Sequence, residues 1–157
     1  MSKESETLRF EDVLDRMGQL VYPNKGVSMM PLLRQGRDLM VVDKKGPSAC
    51  RQYDAVLFKR PTASGPDAYV LHRILRVNED GTYWIVGDNC CTGDTVREEQ
   101  ILGILSAVIR DGKTIPVTNW AYRAYVALWC GCYPLRFAVI RARHFGGKCL
   151  RRLHLRK

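Results

Sequence analysis

No run of about 18 or more apolar residues occurs in this 157-residue chain, which argues against a polytopic membrane protein. No secretory leader is expected either. Met1–Glu6 is polar and mixed in charge, with neither an apolar core nor the arginine richness of a transit peptide. The expected compartment is the cytoplasm, where the six cysteines (Cys50, Cys90, Cys91, Cys130, Cys132 and Cys149) should be reduced. None of them forms a C-x₂-C knuckle of the kind zinc sites favour, so small, partly buried thiols are expected and no metal or cofactor. There is no internal repeat and no low-complexity tract. Acidic residues are absent from one whole region. Residues 112–157 hold 10 Lys+Arg and no Asp or Glu, whereas residues 1–111 hold 15 Lys+Arg against 16 Asp+Glu. The net charge of +9 and the pI near 9.5 therefore describe a basic tail on a balanced body. They do not give the body a nucleic-acid-binding face.

A hydrophobic share of 46% with 26% charged residues fits a folded domain rather than a disordered chain. Leu8 to Leu20 has near-helical apolar spacing at Leu8, Val13, Leu14, Met17 and Leu20, with Tyr22-Pro23-Asn24-Lys25-Gly26 as the break. From Asp38 to Val117 the pattern is β. Strands are expected at Leu39–Val42, Asp54–Phe58, Tyr69–Val77, Tyr83–Val86, Ile101–Ile109 and Thr114–Val117. Asp80-Gly81 and Asp111-Gly112 mark hairpins, and residues 61–67 form the most loop-like insertion. The expected class is mainly β (α+β), with a short N-terminal helix on a body spanning 1–118 and a helical, basic appendage spanning 119–157.

In that appendage, Trp120 to Cys132 is aromatic and apolar around Arg123, and Gly131 and Pro134 call for two helices or a kinked one. Only 12 uncharged residues separate Arg123 from Arg136, too few for a bilayer. Leu135 to Phe145 sets Phe137, Val139 and Ile140 among Arg136, Arg141 and Arg143. The segment fits an anionic membrane surface, a membrane transporter or an acidic leader as partner. Packing of the Trp120–Trp129 aromatics on the body, with solvated arginines outside, fits equally.

Three segments carry residues suited to chemistry: Gly26-Val27-Ser28-Met29-Met30-Pro31, Val70-Leu71-His72-Arg73-Ile74, and Gly87-Asp88-Asn89-Cys90-Cys91-Thr92-Gly93-Asp94. A serine hydroxyl is a poor nucleophile at neutral pH and needs a base within hydrogen-bond reach. A Ser-Met-x-Pro box, a strand bearing a base and a Gly-Asp-Asn box, in this order, resemble the signal peptidase I superfamily. That superfamily includes the self-cleaving LexA-type repressors, and the resemblance covers roughly residues 20–117.

Where most bacterial members carry lysine, this chain has His72, so it looks like the archaeal and endoplasmic-reticulum type. The resemblance implies Ser28 as nucleophile and His72 as base. Of the two aspartates six positions apart, it implies Asp94 as the His72 partner and Asp88 as holder of the local turn or as a support behind the site. A neutral histidine titrates near pH 6.5, so it needs no deep burial to act as a base. Read without the resemblance, Ser28 caps a short helical turn, His72 is a half-exposed strand residue, and the aspartates make turns. Gly36 and Asp38 are similar to the family's Gly-Asp step, with Arg37 interposed, and read as a structural turn.

Two departures stand out. Gly26, as in the repressors, occupies the place two residues before the nucleophile where many signal peptidases have a serine, so either the oxyanion hole relies on backbone N–H groups around Ser28 or catalysis is weaker than in the secretory enzymes. The 27 residues before Ser28 read as neither a transmembrane anchor nor a helix-turn-helix domain. The expectation is a soluble serine endopeptidase that cleaves a leader or propeptide from a peptide or protein precursor. The alternative is a catalytically weak regulatory or binding module of the same fold, whose basic tail binds nucleic acid or an anionic membrane surface.

Overall fold

Apolar side chains alternate along the strands so that both faces of the sheet are covered. In β3 (Ala55–Arg60), Ala55 and Leu57 enter one core, and Val56 and Phe58 enter another. The computed structural model describes residues 9–132 and 136–142. Helix α1 (Phe10–Met17) leads into β1 (Gln19–Pro23), and a loop carrying Ser28 leads into β2 (Asp38–Lys44). After β3 come β4 (Ala68–Val77), β5 (Tyr83–Val86), β6 (Gly93–Val96), a 3₁₀ turn at Glu98–Gln100, β7 (Ile101–Arg110), β8 (Lys113–Pro116) and α2 (Trp120–Gly131). The eight strands form one antiparallel sheet in the order β1-β2-β7-β3-β4-β5-β6, with β8 paired to β7. The fold is a mainly β, α+β architecture with a helix near each end. No helix among the described residues is long and apolar enough to cross a membrane.

The expected strands at β2, β3, β4, β5, β7 and β8 are present. The N-terminal helix is shorter than its periodicity implied. Gly18 adopts the left-handed conformation (φ 69°) and its N–H closes on Leu14 O, ending α1 after Met17. Met17 faces outward, and Leu20 is buried in β1, paired with Val42. Tyr22 and Pro23 finish this strand rather than break a helix. Leu8 lies outside the described residues. The Gly-Asn-rich third box is also more regular than a turn, because Gly93 and Asp94 begin β6 and Asp94 pairs with Ile85. The five described cysteines form no disulfide with one another.

Helix α2 begins at Asn119, whose side chain accepts the Ala121 N–H at 2.8 Å. Tyr122, Tyr125 and Trp129 recur at helical spacing and reach the body, whereas Trp120 and Leu128 face outward. Residues 136–142 form further helix, and Arg143 and Phe145 lie outside the described residues.

Candidate active site

Strand β4 places its residues by simple alternation. His72 lies opposite Val56 and its ring meets Phe58 edge-on, with centroids 6.1 Å apart. Arg73, the next residue, faces the other way toward Tyr122 and Tyr125. His72 is only 6% exposed. Burial is the main cause that pushes its pKa below the ordinary value. The charges of Asp94 and Asp88 act in the opposite sense, and Arg60 acts with burial. At neutral pH the imidazole is uncharged, as a general base must be. Its Nδ1 is buried and has no hydrogen-bond partner among the described residues.

Ser28 sits in the turn between β1 and β2. Met29 and Leu33, both fully buried, anchor that turn in the core beside Leu14 and Met40. Polar contacts fix the rest of the loop. Gly26 N–H donates to Gln35 Oε1 at 3.0 Å, and Asn24 Nδ2 donates to Gly26 O at 3.2 Å. Asp38, 2% exposed, accepts from the guanidiniums of Arg37 and Arg110 and from the Arg34 N–H. Burial alone would raise the Asp38 pKa, but these donors hold it well below the usual carboxylate range. Arg110 also donates to Leu32 O at 2.7 Å, tying the serine loop to β7. Gly36 takes a positive φ of 77° in the turn before Asp38, the structural role expected for that step.

The third box closes the site. Asn89 N–H donates to Ser28 O at 2.7 Å, and Asn89 Nδ2 donates to Val27 O at 3.2 Å. Gly87 has room for no side chain. A Cβ there would stand 2.7 Å from Ser28 O, 2.8 Å from Cys90 Sγ and 2.9 Å from His72 Nε2. The serine segment, the histidine and Cys90 thus converge on one point. All three line a cleft of about 460 Å³ whose floor is Phe10, Tyr22, Met40, Leu57, Tyr69 and Leu71. Lys25 and Arg60 also line it, and no carboxylate does among its described lining residues.

The two aspartates differ in role. Asp88 is fully buried and gives both oxygens to Arg73, at 2.9 and 2.8 Å. Its Oδ2 also accepts the Tyr125 hydroxyl at 2.8 Å. Asp94 is partly exposed and faces Arg60 at 3.6 Å. No hydrogen bond joins His72 to Ser28, Asp88 or Asp94 among the described residues. Of the two carboxylates, Asp94 does more to favour the charged imidazole.

Sequence reading did not foresee the roles of Gly87, Cys90, Tyr125 and Trp129 at this site. The Gly-Asp-Asn string pointed to Gly87, but its contact with His72 needs the β4–β5 register, in which Arg73 pairs with Val86. Comparison of the chain with protein-family models, with curated proteins and with solved structures gave no match.

Proposed function

We propose that the chain is a serine endopeptidase that cleaves a leader or propeptide from a small protein or peptide. The observation that carries this reading is the convergence of the Ser28 segment and an uncharged, buried His72 over the side-chain-free Gly87, within one cleft. His72 takes the Ser28 proton as Oγ attacks the scissile carbonyl carbon. The tetrahedral adduct collapses to an acyl-enzyme when His72 returns that proton to the leaving amine. Water, deprotonated by His72, then releases the second product. The charge of Asp94 favours the transient imidazolium. The N–H groups of Val27, Ser28 and Met29 donate to no acceptor among the described residues, which supports them as oxyanion donors.

The cleft also supports a peptide substrate. Ala68–His72 of β4 pair with β3 on one side, while β5 meets β4 only from Arg73 onward. Among the described residues, β1 pairs with β2 alone. Both free edges border the cleft, where an extended peptide can add main-chain hydrogen bonds. An apolar residue fits the aromatic floor, and an acidic residue fits beside Lys25 and Arg60.

The deciding experiment incubates wild type, Ser28→Ala and His72→Ala with precursor peptides and reads the products by mass spectrometry. Cleavage by wild type alone is expected. A purified Ser28→Ala protein that still cleaves overturns the assignment.

The outward side of α2 supports a second, compatible reading. Exposed Trp120 and Leu128 accompany exposed Arg123, and Val139 and Arg141 are exposed in the next helical segment. This combination suits an anionic bilayer surface. Flotation with anionic vesicles that is lost in Trp120→Ala/Leu128→Ala would support it, and absence of flotation by the full chain removes it.

A further inference from the structure

We infer that α2 is part of the catalytic apparatus, with Tyr125 and Trp129 as positioning residues for Ser28 and His72. The inference rests on the peptidase reading and extends it to a helix that the motifs do not touch. Four contacts join the C-terminal segment to the third box and to the residue after the base. The Tyr125 hydroxyl donates to Asp88 Oδ2 at 2.8 Å, and Trp129 Nε1 donates to Asp88 O at 2.9 Å. Arg136 donates to Gly87 O at 2.6 Å, and Arg73 donates to the Tyr122 hydroxyl at 3.2 Å. The guanidinium of Arg73 also lies over the rings of Tyr122 and Tyr125, at 5.8 and 5.9 Å.

What lies on the far side of these contacts gives them a catalytic consequence. The carbonyls of Gly87 and Asp88 are held from α2 and the segment after it. The next residue, Asn89, holds Ser28 O at 2.7 Å. Gly87 also abuts His72 Nε2 closely enough to exclude a Cβ. Arg73 is bonded to His72 along the chain, and Arg73 and Asp88 are fully buried. A shift of the Gly87–Asn89 turn therefore moves the nucleophile's loop and the wall behind the base together. Backbone carbonyls and a buried ion pair leave little slack for such a shift to be absorbed. Helix α2 braces this turn, and none of the described residues lining the cleft belongs to it.

The experiment uses the full chain with Tyr125→Phe, which removes the hydroxyl and keeps the ring, Trp129→Phe, which removes the Nε1 donor and keeps an aromatic ring of smaller volume, and their combination, which removes both donors. Ala124→Ser, on the exposed outward side of the same helix, is the control. Two readouts are taken. The first is kcat and KM on a peptide that wild type cleaves. The second is hydrogen exchange of the Asn89 amide, which reports the bond to Ser28 O, against the Lys45 amide, which reports a distant bond to Leu102 O. In the double variant kcat should fall about ten-fold or more with KM nearly constant. Asn89 should exchange about ten-fold faster and Lys45 at its wild-type rate, and Ala124→Ser should change neither. Unchanged Asn89 protection overturns the inference. So does unchanged kcat, or a loss of protection shared equally by Lys45, which marks a general structural role. If wild type cleaves nothing, the peptidase reading fails by itself, while Asn89 exchange still decides whether α2 holds the serine loop.

Discussion

His72 and Arg73 are adjacent in the chain and serve opposite faces of the sheet. His72 faces Phe58 and the cleft, while Arg73 is locked by Asp88 and by the aromatic face of α2. One short stretch of β4 therefore joins the titrating group of the site to its rigid backing.

That backing should show a large, non-additive stability signature. Arg73 and Asp88 are both fully buried and share two hydrogen bonds. Asp88→Asn leaves the guanidinium buried without its counter-charge, and Arg73→Met does the same to the carboxylate. Each should cost about 3–5 kcal/mol in urea denaturation. The double variant should cost clearly less than the two singles added, because neither charge then remains unpaired. Simple additivity would show that the pair is not energetically coupled.

Gly87→Ala should be disproportionately harmful. Its Cβ would meet a backbone oxygen, Ser28 O, at 2.7 Å, and that oxygen is already held by Asn89 N–H. Rotation of Cys90 or His72 cannot relieve a clash with main chain. A loss of about 1–3 kcal/mol of stability is expected. Cleavage should fall by about 100-fold, since a displacement near 1 Å suffices for that. Wild-type kcat/KM in this variant would show that the convergence of Ser28 and His72 is not required.

These contacts mark the limit of what the sequence makes legible. Alternating apolar runs revealed β2, β3, β4, β5, β7 and β8, because strands buried on one or both faces leave a period in the chain. β1 was hidden by helical spacing that reached Leu20, and only the left-handed Gly18 turns the chain there. Ser28, His72, Asp88 and Asp94 were singled out through the order of their boxes. The resemblance assigned Asp94 to His72, and the buried ion pair of Asp88 with Arg73 lay outside that reading. The coupling of Asp88 to Tyr125 and Trp129 was not visible, because it depends on how α2 lies across the sheet. No local pattern encodes that placement.

The pH dependence follows from the burial of His72. A base acts while unprotonated, and burial lowers its pKa from 6.5, so the acid limb of kcat/KM should have its midpoint below 6.5. The same shift makes the folded state bind fewer protons than the unfolded chain below that value. The His72 contribution to stability is therefore present above pH 6.5 and declines as pH falls. Two substitutions should move the limb in opposite directions. Asp94→Asn removes a charge that favours the imidazolium, so the midpoint moves further down. Arg60→Gln removes one that disfavours it, so the midpoint moves up. Titration of His72 by NMR checks both signs independently of turnover, and shifts in the same direction would refute the electrostatic account.

Charge in the cleft should bias substrate choice modestly. Lys25 and Arg60 line it without a carboxylate among the described lining residues, yet both side chains are largely solvated. Arg60 is also partly engaged by Asp94 at 3.6 Å. Exposed ion pairs contribute roughly 0.2–1 kcal/mol, so an acidic residue flanking the scissile bond should improve kcat/KM by only a few-fold over its amide counterpart. The advantage should shrink as salt screens it, with a Debye length of about 10 Å at 0.1 M and about 3 Å at 1 M. Lys25→Glu/Arg60→Glu should reverse the preference toward basic peptides while leaving the Asn89 amide protected, since neither cation contacts the third box's backbone. Competition between an acidic peptide and its amide analogue, followed across a salt series, measures this directly. A preference unmoved by both the charge reversal and salt would assign selectivity to the aromatic floor of Phe10, Tyr22 and Tyr69 alone.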